Sequence, residues 1–153
     1  MNIERLRMEK KNLRKSRNYL FFAHPTDKIT EWECGIPGPD DPLYRDAYYR
    51  LKMTFPRTYP LSPPTVQFHY PVYHPNVYPG GNICLDILGP RWKPHITIQQ
   101  ILSGIQHLLL TPNNRSPANS EASSIFKKGN KEYEKKVKEN IKKYHTRMPW
   151  EDQ

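Results

Sequence analysis

Apolar and polar residues alternate most clearly between residues 49 and 55. Tyr49, Leu51, Met53 and Phe55 are separated by polar side chains, the period-two pattern of a strand with one buried face. Shorter runs of aromatic and β-branched residues predict three further strands, at residues 19–23, 31–36 and 65–68. Because short connections join these segments in series, the pattern predicts a four-stranded antiparallel meander.

The N-terminal segment has the spacing of an amphipathic helix. It contains no Pro or Gly from Ile3 to about Arg17, and Ile3, Leu6 and Leu13 fall on one stripe that Lys10 interrupts. We therefore expect a helix that packs through a narrow apolar seam and shows a broad polar face to water.

Three helices are predicted in the C-terminal half. Thr97 and Gln100 have the spacing of a capping box, and Pro112 limits the helix that they begin. Ser120 is the expected N-cap of a short helix, and Gly129 suits the left-handed position after its end. The apolar stripes are Ile98, Ile101, Leu102, Ile105, Leu108 and Leu109 in the first of these helices, and Tyr133, Val137 and Ile141 in the last. The acid–base pairs expected to support the last helix are Glu132/Lys136, Glu134/Lys138 and Glu139/Lys143.

Length and composition fit one α+β domain over residues 1–153, with a short tail at 148–153. The chain is 36% hydrophobic, enough to bury a core without covalent staples. Two cysteines are too few for a disulfide framework or a Cys-rich zinc site, and no histidines have the spacing of a metal site, so we expect reduced thiols and no metal. No apolar run approaches the length of a membrane span, and the N-terminus lacks the apolar segment of a secretory signal. We expect a soluble intracellular protein.

The formal charge of +9 is concentrated at the N-terminus. Residues 1–18 carry seven Lys and Arg against two Glu, so this basic helix is either a docking surface or a solvated face. Stacking aromatics are not interleaved with these charges, which disfavours a nucleic-acid-binding module. We expect no nucleic-acid partner.

The candidate chemistry lies in a long irregular stretch between residues 70 and 94. It contains His74-Pro75-Asn76, a turn at Gly80-Gly81, and Cys84 eight residues after Asn76. A long loop inside a compact domain is usually functional, and a cysteine thiolate is suited to accept an acyl group. The other cysteine, Cys34, falls on a predicted strand and is expected to be a small buried apolar residue.

These residues resemble the ubiquitin-conjugating enzymes, whose signature is a His-Pro-Asn tripeptide, a Gly-containing turn and a catalytic cysteine. Tyr59-Pro60, Pro63-Pro64, Trp92 and Pro94 extend the resemblance over nearly the whole chain. The resemblance implies the corresponding fold and a transferase without a cofactor, located in cytoplasm and nucleus. Cys84 would receive a modifier from an activating enzyme as a thioester and pass it to a substrate lysine, with a ligase as a further partner. A catalytically inactive scaffold is the remote alternative, and the presence of Cys84 argues against it.

The chemistry of the residues, together with the resemblance, indicates roles around Cys84. Asn76 is the candidate donor to the oxyanion, although an Asn in such a loop can equally hold local backbone together. Tyr78 is placed to desolvate the incoming lysine, and Ser116 stands where many relatives carry an acid. His74 and Pro75 are expected to be structural, and a strong base at His74 would promote hydrolysis of the thioester. Asp86 could either tune the approach to Cys84 or bond backbone.

The sequence leaves two modifiers open. The basic first helix and the segment from His74 to Gly81 resemble the SUMO-conjugating branch, which is slightly favoured. The short connection from Cys84 to Trp92 and the residues after Ser116 resemble the ubiquitin branch. The residues expected to bind the activating enzyme and the ligase are Arg5, Arg7, Lys10, Lys11, Leu61, Pro94 and His95.

Overall fold

The computed structural model describes residues 2–15, 21–115 and 117–146. Its sheet contains β1 (Phe22–Pro25), β2 (Glu31–Pro37), β3 (Tyr48–Thr54) and β4 (Thr65–Phe68), all antiparallel and in sequence order. Helix α1 (Ile3–Lys15) precedes the sheet, and α2 (Ile98–Leu110), α3 (Ser120–Lys128) and α4 (Asn130–Tyr144) follow it. The predicted α+β meander is confirmed. None of the described helices has both the length and the apolarity needed to span a bilayer.

The core lies between the sheet and α2. Leu51 and Met53 of β3 have no exposed surface, and neither has Trp32 of β2. The predicted capping box begins α2, since the Thr97 hydroxyl accepts the Gln100 N–H and the Gln100 side chain accepts the Thr97 N–H. All six predicted apolar positions of α2 are buried, which contributes on the order of 10 kcal/mol before conformational entropy is subtracted.

Strand β1 differs from the prediction. It begins after Phe21 and continues through His24 and Pro25, which pair with β2. The predicted start at residues 19 and 20 lies outside the described residues. The turn into β2 is short, so His24 and Pro25 remain in the strand. Proline is tolerated here because β1 is the edge of the sheet, where an amide hydrogen is dispensable.

The seam of α1 follows the prediction in part. Leu6 is fully buried and Leu13 packs against the core, but Ile3 is 46% exposed, and Glu9 is 3% exposed instead. Glu9 can be buried because its carboxylate accepts hydrogen bonds from Arg5 Nε and from the Ile98 N–H at the start of α2. A polar clamp therefore replaces part of the expected apolar seam.

The cap of α3 is Asn119 and not Ser120. Asn119 has extended backbone angles, and its Oδ1 accepts the Ala122 N–H at 3.0 Å, whereas Ser120 is already the first helical residue. Gly129 has a positive φ of 139°, as a glycine permits, but its ψ of 171° is extended rather than that of the predicted left-handed turn.

Helix α4 buries the predicted stripe of Tyr133, Val137 and Ile141. The three predicted acid–base pairs do not form among the described residues: Lys136 Nζ lies 3.6 Å from Glu121 of α3, and Lys143 lies over the ring of Tyr144. The contact between α3 and α4 thus takes the place of one pair along α4.

Candidate active site

His74 fastens the active-site loop to α2. The side chain is 1% exposed, its Nε2 lies 2.7 Å from the Leu108 carbonyl, and its Nδ1 accepts the Asn76 N–H. Burial lowers the pKa of His74 to about 4, although bonds to backbone carbonyls oppose this shift. The ring is therefore neutral near pH 7, with both nitrogens occupied by backbone groups. These contacts leave His74 no nitrogen with which to exchange a proton with Cys84.

Asn76 connects two loops. Its Nδ2 donates to the Asn113 carbonyl at 2.6 Å, and its Oδ1 accepts the Asn113 N–H at 2.8 Å. The Asn76 carbonyl accepts the Cys84 N–H at 2.9 Å. The structure thus shows the loop-holding role of this amide, and that role occupies one of its two amide hydrogens. The role in oxyanion stabilisation stays a prediction.

A tight turn places Cys84 opposite Asn76. Val77 forms a β-bridge with Ile83, and the Gly81 N–H donates to the Tyr78 carbonyl. Gly81 has a φ of 96°, and a Cβ at this position would lie 2.6 Å from a backbone oxygen of β4. A side chain at position 81 would be strained by the positive φ and would clash with β4, so this turn conformation requires glycine there.

Cys84 is half-buried and lines a cleft of about 210 Å³. The floor of the cleft is the last part of α2, where Gly104 packs closely enough that a Cβ would lie 3.2 Å from the Ile87 side chain. Asp86 is exposed at the rim, and its Oδ1 accepts the Ile87 N–H. The lining residues are Cys84, Leu85, Asp86, Gly104, His107, Leu108, Thr111 and Asn113.

Sequence reasoning missed His107 and Asn113 as residues of this cleft. The signal for His107 was available, because Gly104, His107, Leu108 and Thr111 recur at helical spacing on one side of α2. No local pattern marks Asn113, whose backbone meets Asn76 only through the tertiary fold.

Tyr78 lies on a second cleft, of about 270 Å³, which shares no lining residue with the first. Its side chain is 47% exposed. The Pro75 carbonyl accepts the N–H groups of Ala118 and Asn119, so Pro75 fixes the segment that forms the far wall of this cleft. The lining residues are Pro71, Val72, Tyr73, Val77, Tyr78, Pro79, Asn119 and Asn140. Ser116, which stands where many relatives carry an acid, lies outside the described residues.

The residues predicted to bind partners divide into two groups. Arg5 has its guanidinium committed internally, because it donates to the carbonyls of Pro94 and Ile96 and pairs with Glu9. It also lies over the ring of Tyr59. The remaining predicted residues are accessible, fully or in part: Arg7, Lys10, Lys11, Leu61, Pro94 and His95.

The Arg5 contacts and one tryptophan bond bring the accessible residues together. Trp92 Nε1 donates to the Pro60 carbonyl, so the loop that carries Pro94 lies beside the loop that carries Leu61, which is 76% exposed. Among the described residues, no group of three or more His, Cys, Asp or Glu side chains could hold a metal ion.

The family model for ubiquitin-conjugating enzymes matches residues 5–141. The chain is 43% identical over 152 residues to "SUMO-conjugating enzyme UBC9" of Caenorhabditis elegans, covering 94% of this chain and 92% of that protein. It is 44% identical over 126 residues to "Ubiquitin-conjugating enzyme E2 2" of Neurospora crassa and to the protein of that name from Fusarium solani, covering 82% of this chain and 80% of each.

The fold and these similarities define a conjugating enzyme of a ubiquitin or ubiquitin-like cascade. The chain belongs to the ubiquitin-conjugating enzyme family, which confirms the resemblance read from its motifs. Family members act with an activating enzyme, a modifier, a ligase and protein substrates. Relatives from the two branches are similar to nearly the same degree, so overall identity does not select the modifier.

Proposed function

We propose that Cys84 carries the modifier as a thioester and that a substrate lysine takes it from there. The observation that supports this role is the position of Cys84, half-buried on the wall of an open cleft with its backbone fixed by Asn76. The other thiol, Cys34, is 3% exposed, and burial raises its pKa well above that of a free thiol, which makes it unreactive.

The transfer consists of two acyl exchanges. The Cys84 thiolate attacks the carbonyl carbon of the modifier, which the activating enzyme holds as a thioester. A new C–S bond to Cys84 forms, the bond to the activating enzyme's sulfur breaks, and that sulfur leaves as a thiolate. The neutral amine of a substrate lysine then attacks the same carbon, the bond to Cys84 breaks, and an isopeptide bond forms. The amine loses one proton to solvent, and Cys84 is regenerated as thiolate.

The two clefts suit the two reactants of the second step. The modifier's C-terminal segment occupies the cleft between Cys84 and α2, since this cleft contains the sulfur itself. The lysine enters from the side of Tyr78, where the aromatic ring and the Asn119 wall exclude water from the ammonium group. Desolvation lowers the pKa of a lysine and so increases the fraction of neutral amine that can attack.

Asn76 stabilises the oxyanion that forms at each attack. The backbone carbonyl of Asn76 accepts the Cys84 N–H, and the second hydrogen of the Asn76 side-chain amide is the donor assigned to this oxygen. The bonds to Asn113 hold the amide in a single orientation, so the donor needs no reorganisation when charge develops.

The modifier that we propose is SUMO. The support is the coverage of the similarity, which extends over 94% of this chain for the SUMO-conjugating relative and 82% for the ubiquitin-conjugating ones. Ubiquitin is the second candidate, and one observation favours it. The segment after Cys84 is a compact turn, in which Gly89 and Arg91 both donate to the Asp86 carbonyl and Trp92 follows directly.

The activating enzyme binds the exposed basic face of α1. Arg7 and Lys11 are exposed, and Lys10 is partly so, whereas Arg5 serves the fold. A cationic face accelerates encounter with an acidic partner, and the acceleration weakens as salt is added.

The test is thioester formation with each modifier. The protein is mixed with ATP and either the SUMO or the ubiquitin activating system and separated on a non-reducing gel. A reductant-sensitive adduct with SUMO is expected, and it should become a stable oxyester in Cys84→Ser and persist unchanged in the matched control Cys34→Ala. An adduct with ubiquitin alone would reassign the modifier, and an adduct that survives loss of the Cys84 thiol as a reductant-sensitive species would refute the assignment of the nucleophile.

A further inference from the structure

Four lysines form a straight stripe on the exposed side of α4. Lys131, Lys135, Lys138 and Lys142 follow one another at intervals of four, three and four residues, and all four are exposed. At 100° per residue these positions fall within a sector about 60° wide. The buried positions Tyr133, Val137 and Ile141 lie on the opposite side of the helix.

The charges of this lysine stripe are not used within the fold. In the part of the chain that the structure describes, none of the four ammonium groups forms an ion pair, whereas the neighbouring Lys136 pairs with Glu121 and Lys143 lies over the ring of Tyr144. Three consecutive helical intervals therefore present ammonium groups that no ion pair among the described residues engages, over about 16 Å of helix.

We propose that the lysine stripe binds an acidic polypeptide segment. An extended chain advances about 3.4 Å per residue, so the stripe matches a segment of about five residues. Acidic side chains on one side of that segment would face the ammonium groups. Asn140 lines the Tyr78 cleft and lies almost opposite the lysine stripe on α4. A partner bound to the stripe would therefore be held away from the Tyr78 cleft.

The width of the stripe favours a single polypeptide over a nucleic-acid duplex. Glu132 and Glu139 border it on one side and Glu134 on the other, and all three are exposed. A duplex is broad enough to bring its phosphates against these carboxylates, whereas one extended chain follows the lysines between them. The stripe also consists of lysines, which are point charges, and lacks both the guanidinium forks that suit phosphate and the aromatic rings on which bases stack.

Binding of a labelled acidic peptide tests the proposal. The probe is a fluorescein-labelled decapeptide of alternating Glu and Ser, titrated with the full chain at low and at physiological salt, alongside a labelled DNA duplex of ten base pairs. The test variant replaces the four stripe lysines by Gln. The control variant removes the same number of exposed positive charges elsewhere, at Lys28, Arg45, Arg57 and Lys93.

The stripe variant should bind the peptide about tenfold more weakly than the wild type, while the control variant should change the affinity about twofold or less. Circular dichroism and thioester charging should be unchanged in the stripe variant, because no stripe residue contributes to the core or to either cleft. Equal weakening by both variants would show that only net charge matters and would overturn the proposal. A wild-type protein that does not bind the peptide, or that prefers the duplex, would overturn it as well.

Discussion

Asn76→Ala separates the two roles assigned to this amide. The change removes the hydrogen bonds that Asn76 makes to the N–H and the carbonyl of Asn113, and it removes the proposed donor to the oxyanion. The backbone bond from Cys84 to the Asn76 carbonyl is available to any residue and should persist. The loop therefore loses one side-chain tether but keeps its path past the cysteine.

The cost in stability follows from the two lost bonds. Each contributes about 1 kcal/mol, so the free energy of unfolding should fall by about 2 kcal/mol and the Tm by about 4–8 °C. A domain that starts with at least about 5 kcal/mol of stability would still be about 99% folded. Unfolding cannot then account for a large loss of rate.

The loss of the oxyanion donor should slow discharge of the thioester to free lysine about 100-fold, a change of about 3 kcal/mol in activation energy. The assay is a single-turnover chase of the charged enzyme with lysine. Asn114→Ala is the matched control, because it removes the bond from Ser123 to the same loop without touching the Asn76 amide. If Asn76→Ala slows discharge no more than Asn114→Ala does, the amide is structural only and the catalytic assignment is wrong.

Three further outcomes follow from single contacts. Arg5→Ala should lower stability by about 2–3 kcal/mol because it frees two carbonyls and leaves a buried carboxylate without its partner, whereas Arg7→Ala should cost under about 0.5 kcal/mol; urea titration measures both. Gly81→Ala should cost more than about 2 kcal/mol, and Gly80→Ala, whose Cβ meets open space, should be nearly neutral. Because the pKa of His74 is about 4 when folded against 6.5 in a model peptide, its contribution to stability is complete above pH 6.5 and falls by about 3 kcal/mol as pH drops toward 4.

Each of these expectations has a contrary result. Equal midpoints for the two arginine variants would mean that the guanidinium contacts of Arg5 contribute nothing. A stable Gly81→Ala would show that the turn has room to rearrange. If His74→Gln left the slope of stability between pH 6.5 and 4 unchanged, burial of this ring would not be the source of that slope.

The sequence predicted most reliably the elements whose signal is local. The capping box of Thr97 and Gln100 lies within four residues, and the alternation in β3 lies within seven, so each could be read without knowledge of the rest of the chain. The predicted cap of α3 was wrong because Asn119 and Ser120 are both good capping residues. Which of them caps the helix depends on how the Pro75 carbonyl holds the preceding segment.

The candidate site was predictable in its chemistry but not in its contacts. The spacing of Asn76 and Cys84 identified the loop, yet the partner of the Asn76 amide is the backbone of Asn113, 37 residues away. Arg5 shows the same limit. A basic residue on an amphipathic helix is predicted to be a surface charge. Only the tertiary fold shows that the carbonyls of Pro94 and Ile96 accept hydrogen bonds from its guanidinium.

The contacts around Cys84 suit storage of a thioester as well as its transfer. A stored thioester is lost if a base activates water beside it, and His74, the imidazole of the signature, is neutral with both nitrogens bound to backbone groups. His107 lines the cleft that contains Cys84 and not the Tyr78 cleft by which, in the proposed mechanism, the amine enters. In the proposed mechanism, selectivity for amine over water depends on which nucleophile the Tyr78 cleft admits and desolvates. On this proposal, entry of the nucleophile is the step that a substrate or ligase can control.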